Sequence, residues 1–136
     1  MKKKGLGVIF HSGFYDRLYH GFSLALAASA LGREVRLFFS YWALEYLKKD
    51  GLAKVKLDSE GKKHKEIIEK NIKRGHLQKI SELITQAKAM GVKIYACTNS
   101  MGLLNIVRDE LIPEVDKTMG LTTFLVETKD SQILFI

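Results

Sequence analysis

The sequence contains one cysteine, Cys97, and one proline, Pro113, and each scarcity removes a class of protein. A single thiol forbids an intramolecular disulfide, so a secreted disulfide scaffold is excluded and a reducing cytoplasm is the expected setting. With one proline and no low-complexity tract or fixed-period repeat, nothing marks an interdomain linker. Uncharged apolar runs stay well short of the ~20 residues a membrane helix needs. The longest candidate, Gly21 to Leu31, is rich in small residues, so no membrane partner is expected. Gly5 to Phe10 is closed by His11 and Ser12 too early for the apolar core of a signal peptide, so no secretion signal is evident. His20, His64 and His76 share no metal-ligand spacing with one another or with Cys97, and no metal is assigned. Gly5 and Gly7 precede or enter the first apolar run instead of following it, so they make no dinucleotide fingerprint. There is no Walker loop either, and no cofactor is expected.

What is present fits one domain spanning residues 1–136, with 46% hydrophobic and 27% charged residues. Lys and Arg number 22 against 15 Asp and Glu, a net +7 that favours acidic partners. Nucleic acid is not an expected partner, because no reading helix or aromatic platform accompanies the charge. Between Lys48 and Lys79 eleven basic residues stand against five acidic ones. A basic excursion over about 52–75 is therefore expected to offer a face to an acidic protein.

Apolar periodicity gives the order of elements. Residues 4–10, Glu34–Phe39 and Val92–Ala96 are short bounded runs suited to strands buried on both faces. Phe14, Leu18, Phe22, Leu26 and Ala30 recur every four residues and predict a helix closed by Gly32. Tyr41–Lys49 reads as a second helix closed by Gly51, and Leu77, Ile80, Leu83, Ile84 and Ala87 mark an amphipathic helix closed by Gly91, behind Lys65–Arg74 and Gly75. Ser100–Ile106 predicts a helix, Arg108–Ile112 a short turn, Val115 and its neighbours a short strand, and Gln132–Ile136 a terminal strand. Strands alternating with helices of this length require parallel crossovers, so the expected fold is α/β, a doubly wound open sheet with helices on both faces.

Ligands of such sheets sit outside the carboxyl ends of the strands, here at His11-Ser12-Gly13, Ser40-Tyr41-Trp42 and Cys97-Thr98-Asn99-Ser100. The only thiol of the chain falls on that edge, ahead of a helix expected to be capped by Asn99 or Ser100. Free amides at a helix start favour a thiolate, which makes Cys97 the candidate nucleophile. The competing reading is a buried cysteine acting as a small hydrophobe, and position alone leaves the two open. His11 on the same edge is a candidate partner for the thiolate, or a histidine merely bonded to backbone. Ser12-Gly13 reads as a turn or an anion cradle. Tyr41 and Trp42 read as packing or as an aromatic wall beside the thiol, and Met101 as packing.

Leu31-Gly32-Arg33-Glu34-Val35-Arg36-Leu37-Phe38-Phe39-Ser40-Tyr41-Trp42 and Gly91-Val92-Lys93-Ile94-Tyr95-Ala96-Cys97-Thr98-Asn99-Ser100-Met101, followed by Gly120–Ile136, resemble segments of the DsrE/DsrF-like sulfur-relay proteins in the same order and at comparable spacing. The resemblance covers nearly the whole chain. It implies a small α/β subunit that assembles into homotrimers or homohexamers and carries sulfane sulfur on Cys97, a carrier more than a multiple-turnover enzyme. The implied partners are a rhodanese-like or TusA-like donor and an acceptor thiol. Some relatives carry another cysteine. This chain has none, so release falls to a partner's thiol. The alternative is an oligomeric module that binds a nucleotide or flavin, with Cys97 structural.

Overall fold

Three of the bounded apolar runs form the centre of a parallel sheet in the computed structural model, which describes residues 3–51 and 55–136. They are β1 (Gly5–Phe10), β2 (Val35–Phe39) and β3 (Lys93–Cys97). Two shorter strands, β4 (Lys117–Met119) and β5 (Ser131–Phe135), flank them, and the order across the sheet is β4-β3-β2-β1-β5. Every neighbouring pair is parallel, with Phe10 opposite Phe39, Phe39 opposite Ala96 and Cys97 opposite Met119. The α/β fold expected from the sequence is the one observed.

Side chains alternate across a strand, so the sheet has two apolar faces. Leu6, Val8, Phe10, Leu37, Phe39 and Ile94 pack on one face beneath α1 (Tyr15–Ala30) and α3 (Ile80–Ala89) and form the main core. Gly21 lets α1 lie directly on β1, since a Cβ there would stand 2.1 Å from the Phe10 ring. The second face is thinner. Phe38, Tyr95, Cys97 and Met119 form a small cluster with Phe124 of α5 (Leu121–Glu127). Gly7 of β1 permits that cover, because an added Cβ would lie 3.3 Å from Phe124 and 2.8 Å from Ile133.

Several elements differ from the sequence reading. Tyr41–Leu47 is a 3-10 helix and not an α-helix. Its buried residues Ala43, Leu44, Tyr46 and Leu47 pair at three-residue spacing, the period of the tighter coil. The basic stretch and the amphipathic run behind it are separate helices, α2 (Lys65–Lys73) and α3, divided at Gly75 with φ +79°. The helix expected at Ser100–Ile106 is α4 (Thr98–Leu103), beginning immediately after β3. Val115 belongs to the main core, and the short strand β4 starts two residues later, after Asp116 has turned the chain. The Asp116 carboxylate accepts hydrogen bonds from the Ile94 N–H at 2.7 Å and from Lys88 Nζ at 2.7 Å. Helix α5 had no counterpart in the sequence reading, since Thr122-Thr123-Phe124-Leu125-Val126 is β-branched and aromatic. Residues 52–54 of the basic excursion lie outside the described residues, while 61–64 form a 3-10 turn that leads into α2.

Candidate functional site at the carboxyl edge of the sheet

Cys97 is the last residue of β3 and the cap of α4. Asn99 and Ser100 therefore lie within the first turn of α4 instead of capping it. The Cys97 side chain accepts no capping hydrogen bond from the amides of that turn. It is 6% exposed and packs among Phe38, Tyr95, Met119 and Phe124, with Ile9 at the edge of the group. Thr98 and Asn99, which follow it, are exposed. Ser100 is buried, and its Oγ has no hydrogen-bond partner among the described residues. Met101 packs in the main core.

His11, Ser12, Gly13 and Trp42 come together at the ends of β1 and β2. Strand β2 separates them from Cys97, so His11 follows a strand two places across the sheet from the one that ends in the thiol. The His11 N–H donates to the Ile136 carbonyl at 2.8 Å. Its ring stacks on Tyr41 at 4.5 Å and meets Phe135 at 5.7 Å. Tyr41 adopts φ +47°, a left-handed conformation that costs an aromatic residue roughly 1–3 kcal/mol. That strained turn sets its ring against His11 and, edge to face, against Trp42 at 6.0 Å. The Ser12 Oγ is engaged in the turn, accepting from the Phe14 N–H at 3.1 Å. The Tyr46 hydroxyl donates to the Gly13 carbonyl at 2.8 Å, and burial first, then Asp16 and Glu45, push its pKa up to about 12. Gly13 is fitted against Trp42, whose carbonyl would lie 3.0 Å from an added Cβ. The ring of Trp42 is half exposed and forms the rim of this aromatic group, not a wall beside the thiol.

A polar group beneath Cys97 escaped the sequence reading. Tyr95, two residues earlier on the same face of β3, lies beside Arg36 of β2 and Glu127 of α5, which pair with each other at 3.8 Å. Burial, and then Glu127, raise the Tyr95 pKa against the opposing pull of Arg36. The alternation Arg36-Leu37-Phe38 in β2 was the available signal, since it places a cation on the same face as Phe38. Among the described residues no group of three or more His, Cys, Asp or Glu is disposed to hold a metal ion. A cleft of about 660 Å³ lined by Lys3, Arg36, Glu127 and Lys129 lies at the opposite, amino-terminal edge of the sheet.

The model of the DsrE/DsrF/DrsH-like family matches residues 2–65 and 59–136. The chain belongs to this family. Across the family, the uncharacterized protein YrkE of Bacillus subtilis is 26% identical over 155 aligned residues, covering 95% of this chain and 94% of YrkE. The sulfur carrier protein DsrE2 of Allochromatium vinosum is 45% identical over 49 residues, a local match covering 36% of this chain and 31% of DsrE2. Among solved structures, the protein of unknown function MTH1491 from Methanobacterium thermoautotrophicum superimposes with a TM-score of 0.65 at 14% identity, covering 98% of this chain and all of its own. The ychN protein of E. coli superimposes with 0.65 at 13% identity over the same shares. These two share the fold. The family is the sulfur-relay family, and family membership with the local DsrE2 match supports that class of function for this chain.

Proposed function

We infer that this protein carries sulfane sulfur as a persulfide on Cys97 within a sulfur relay. The observation that carries the reading is the place of the only thiol, at the carboxyl end of β3 beside exposed Thr98 and Asn99, in a chain of this family. The Cys97 thiolate attacks the outer sulfur of a donor persulfide, the donor's inner sulfur leaves as a thiolate, and Cys97–S–SH remains. An acceptor thiolate then attacks that outer sulfur and releases the Cys97 thiolate. Both steps are thiol exchange with no net oxidation, and the absence of a second cysteine leaves release to the acceptor. The thiol is buried in this structure, so the reading requires a local opening. Phe38, Met119 and Phe124 keep water and oxidants from the sulfur, and the six-residue α4 and seven-residue α5 must loosen locally for a partner to reach it.

The donor and acceptor are proteins with reactive thiols, of the rhodanese-like or TusA-like kind. A cytoplasmic setting suits a lone thiol that must stay reduced. The chain works as a homotrimer or homohexamer in this reading, which is supported by the apolar side chains left exposed on the thin face: Leu121, Leu125, Val126, Ile133 and Phe135. The test is intact-mass measurement after incubation with a persulfide or thiosulfonate donor. A gain of one or more sulfur atoms, absent in Cys97→Ser and removed by a second protein thiol, is the expected result. No adduct with any donor overturns the reading, and a released flavin or nucleotide with an inert Cys97 replaces it with a binding module.

A further inference from the structure

The segment from Gly61 to Arg74 contributes little to holding the fold together. None of the residues in the 3-10 turn Gly61–His64 or in α2 is buried, and only Ile68 and Ile72 reach the main core, each partly. A nine-residue helix gains little stability from its own hydrogen bonds. Its charge is also uncompensated. Six Lys or Arg and two Glu lie between residues 61 and 74, a net +4 of the chain's +7. Among the described residues none of these side chains enters an ion pair. Ile67 stands outward from Ile68 and Ile72 and is 58% exposed. Lys70 and Arg74 follow it by three and seven residues, the spacings that bring helical neighbours to one side, and Lys63 stands in the 3-10 turn that leads into the helix.

We propose that this arm is a docking surface for an acidic protein face, with Ile67 as its apolar anchor and Lys63, Lys70 and Arg74 as the surrounding cations. An apolar centre ringed by charge is the usual arrangement of a protein-binding patch. A membrane surface would ask for a broad apolar stripe, and here the other isoleucines of α2 face the core. A nucleic acid would ask for a platform of large stacking rings, and residues 61–79 contain no Phe, Tyr or Trp, while Glu66 and Glu69 would repel its phosphates. The root of the arm passes the carboxyl edge, where the Lys56 carbonyl accepts from the Tyr15 N–H at 2.7 Å and Lys56 lines a small recess with Gly13 and Trp42. Lys56, five residues before the arm, thus stands beside the half-exposed Trp42, on the same edge of the sheet that Cys97 occupies. Complementary charge chiefly speeds encounter and sets orientation.

The test is a fluorescence titration of the full chain with a synthetic helical peptide carrying glutamates at three- and four-residue spacing around one leucine. A single-stranded DNA oligonucleotide and phosphatidylglycerol vesicles serve as rival anions. The peptide is expected to bind, to weaken with added salt, and to lose about tenfold or more in affinity for K63E/K70E/R74E. Ile67→Ser is expected to weaken it several-fold, with circular dichroism unchanged in both variants. Cys97→Ser should bind as the native chain does, so failure of the persulfide assay and failure of docking are separate results. No peptide binding at low salt, binding indifferent to charge reversal, or tighter binding of DNA or vesicles overturns the proposal. A change of oligomer mass in the charge-reversed variant also overturns it, by assigning the arm to a second copy of the chain.

Discussion

Cys97 is a concealed thiol. Its sulfur stands in an apolar group whose tightest member is Phe124, fully buried and stacked 4.7 Å from Phe38. If access comes from local opening, the thiol reacts with an aromatic disulfide reagent more slowly than a free cysteine, at a rate set by how easily α5 lifts. Phe124→Leu removes part of that stacking at a cost of roughly 1–2 kcal/mol, and should speed the reaction about tenfold while the global melting transition stays cooperative. Stopped-flow absorbance of the released reagent thiol measures this directly. An instantaneous reaction in the native chain would show the sulfur to be open without any loosening. The opposite case is His11, whose ring is held by Tyr41 and Phe135 and whose main chain is tied to Ile136. Its ring partners belong to the aromatic rim, and β2 stands between its strand and that of Cys97.

At the level of elements, the amino-terminal start of β4 is tied to α3 and to β3 through Asp116. Burial opposes the Asp116 charge, but the hydrogen bond from Lys88, the Ile94 N–H and the attraction of Lys88 and Lys93 outweigh it and hold the carboxyl below its usual value of 3.8. A carboxyl with a depressed folded pKa contributes stability that is present above its unfolded pKa and is lost as pH falls through the folded one. Urea titrations should therefore show stability falling below about pH 4. Asp116→Asn, which removes the carboxylate charge that faces Lys88, should be weaker by about 1 kcal/mol at neutral pH and should fall less in the acid window. An unchanged acid limb in that variant would assign the pH dependence to other carboxylates. Helix α5 illustrates an element that local propensity misreads. Its β-branched sequence favours a strand, but Phe124 gains more from burial against Phe38 and Tyr95 than the backbone loses by coiling.

For the molecule as a whole, one face of the sheet is sealed by two long helices and the other by seven residues of α5. The apolar surface left on the thin side, with Phe135 70% exposed on an edge strand, is the surface that the proposed self-association would cover. Light scattering coupled to size exclusion should give a trimer or hexamer for the native chain and smaller species for Phe135→Glu/Val126→Glu. A monomeric native chain would remove the oligomer from the functional reading. The basic arm at Gly61–Arg74 packs on the main core through Ile68 and Ile72 and enters no ion pair among the described residues, so the proposed docking surface and the apolar thin face are separate surfaces.

The sequence by itself determined the strands β1, β2 and β3, helices α1 and α3, the parallel α/β class and the position of the only thiol at a strand end. Each follows from local periodicity, bounded apolar runs and the length a parallel crossover demands. Tertiary structure alone decided that β2 stands between His11 and Cys97, that α5 folds over the thiol, and that Tyr95, Arg36 and Glu127 meet below it. Those relations arise from strand order and from which helix covers which face. They are set by packing between residues distant in the chain, where no local pattern records them.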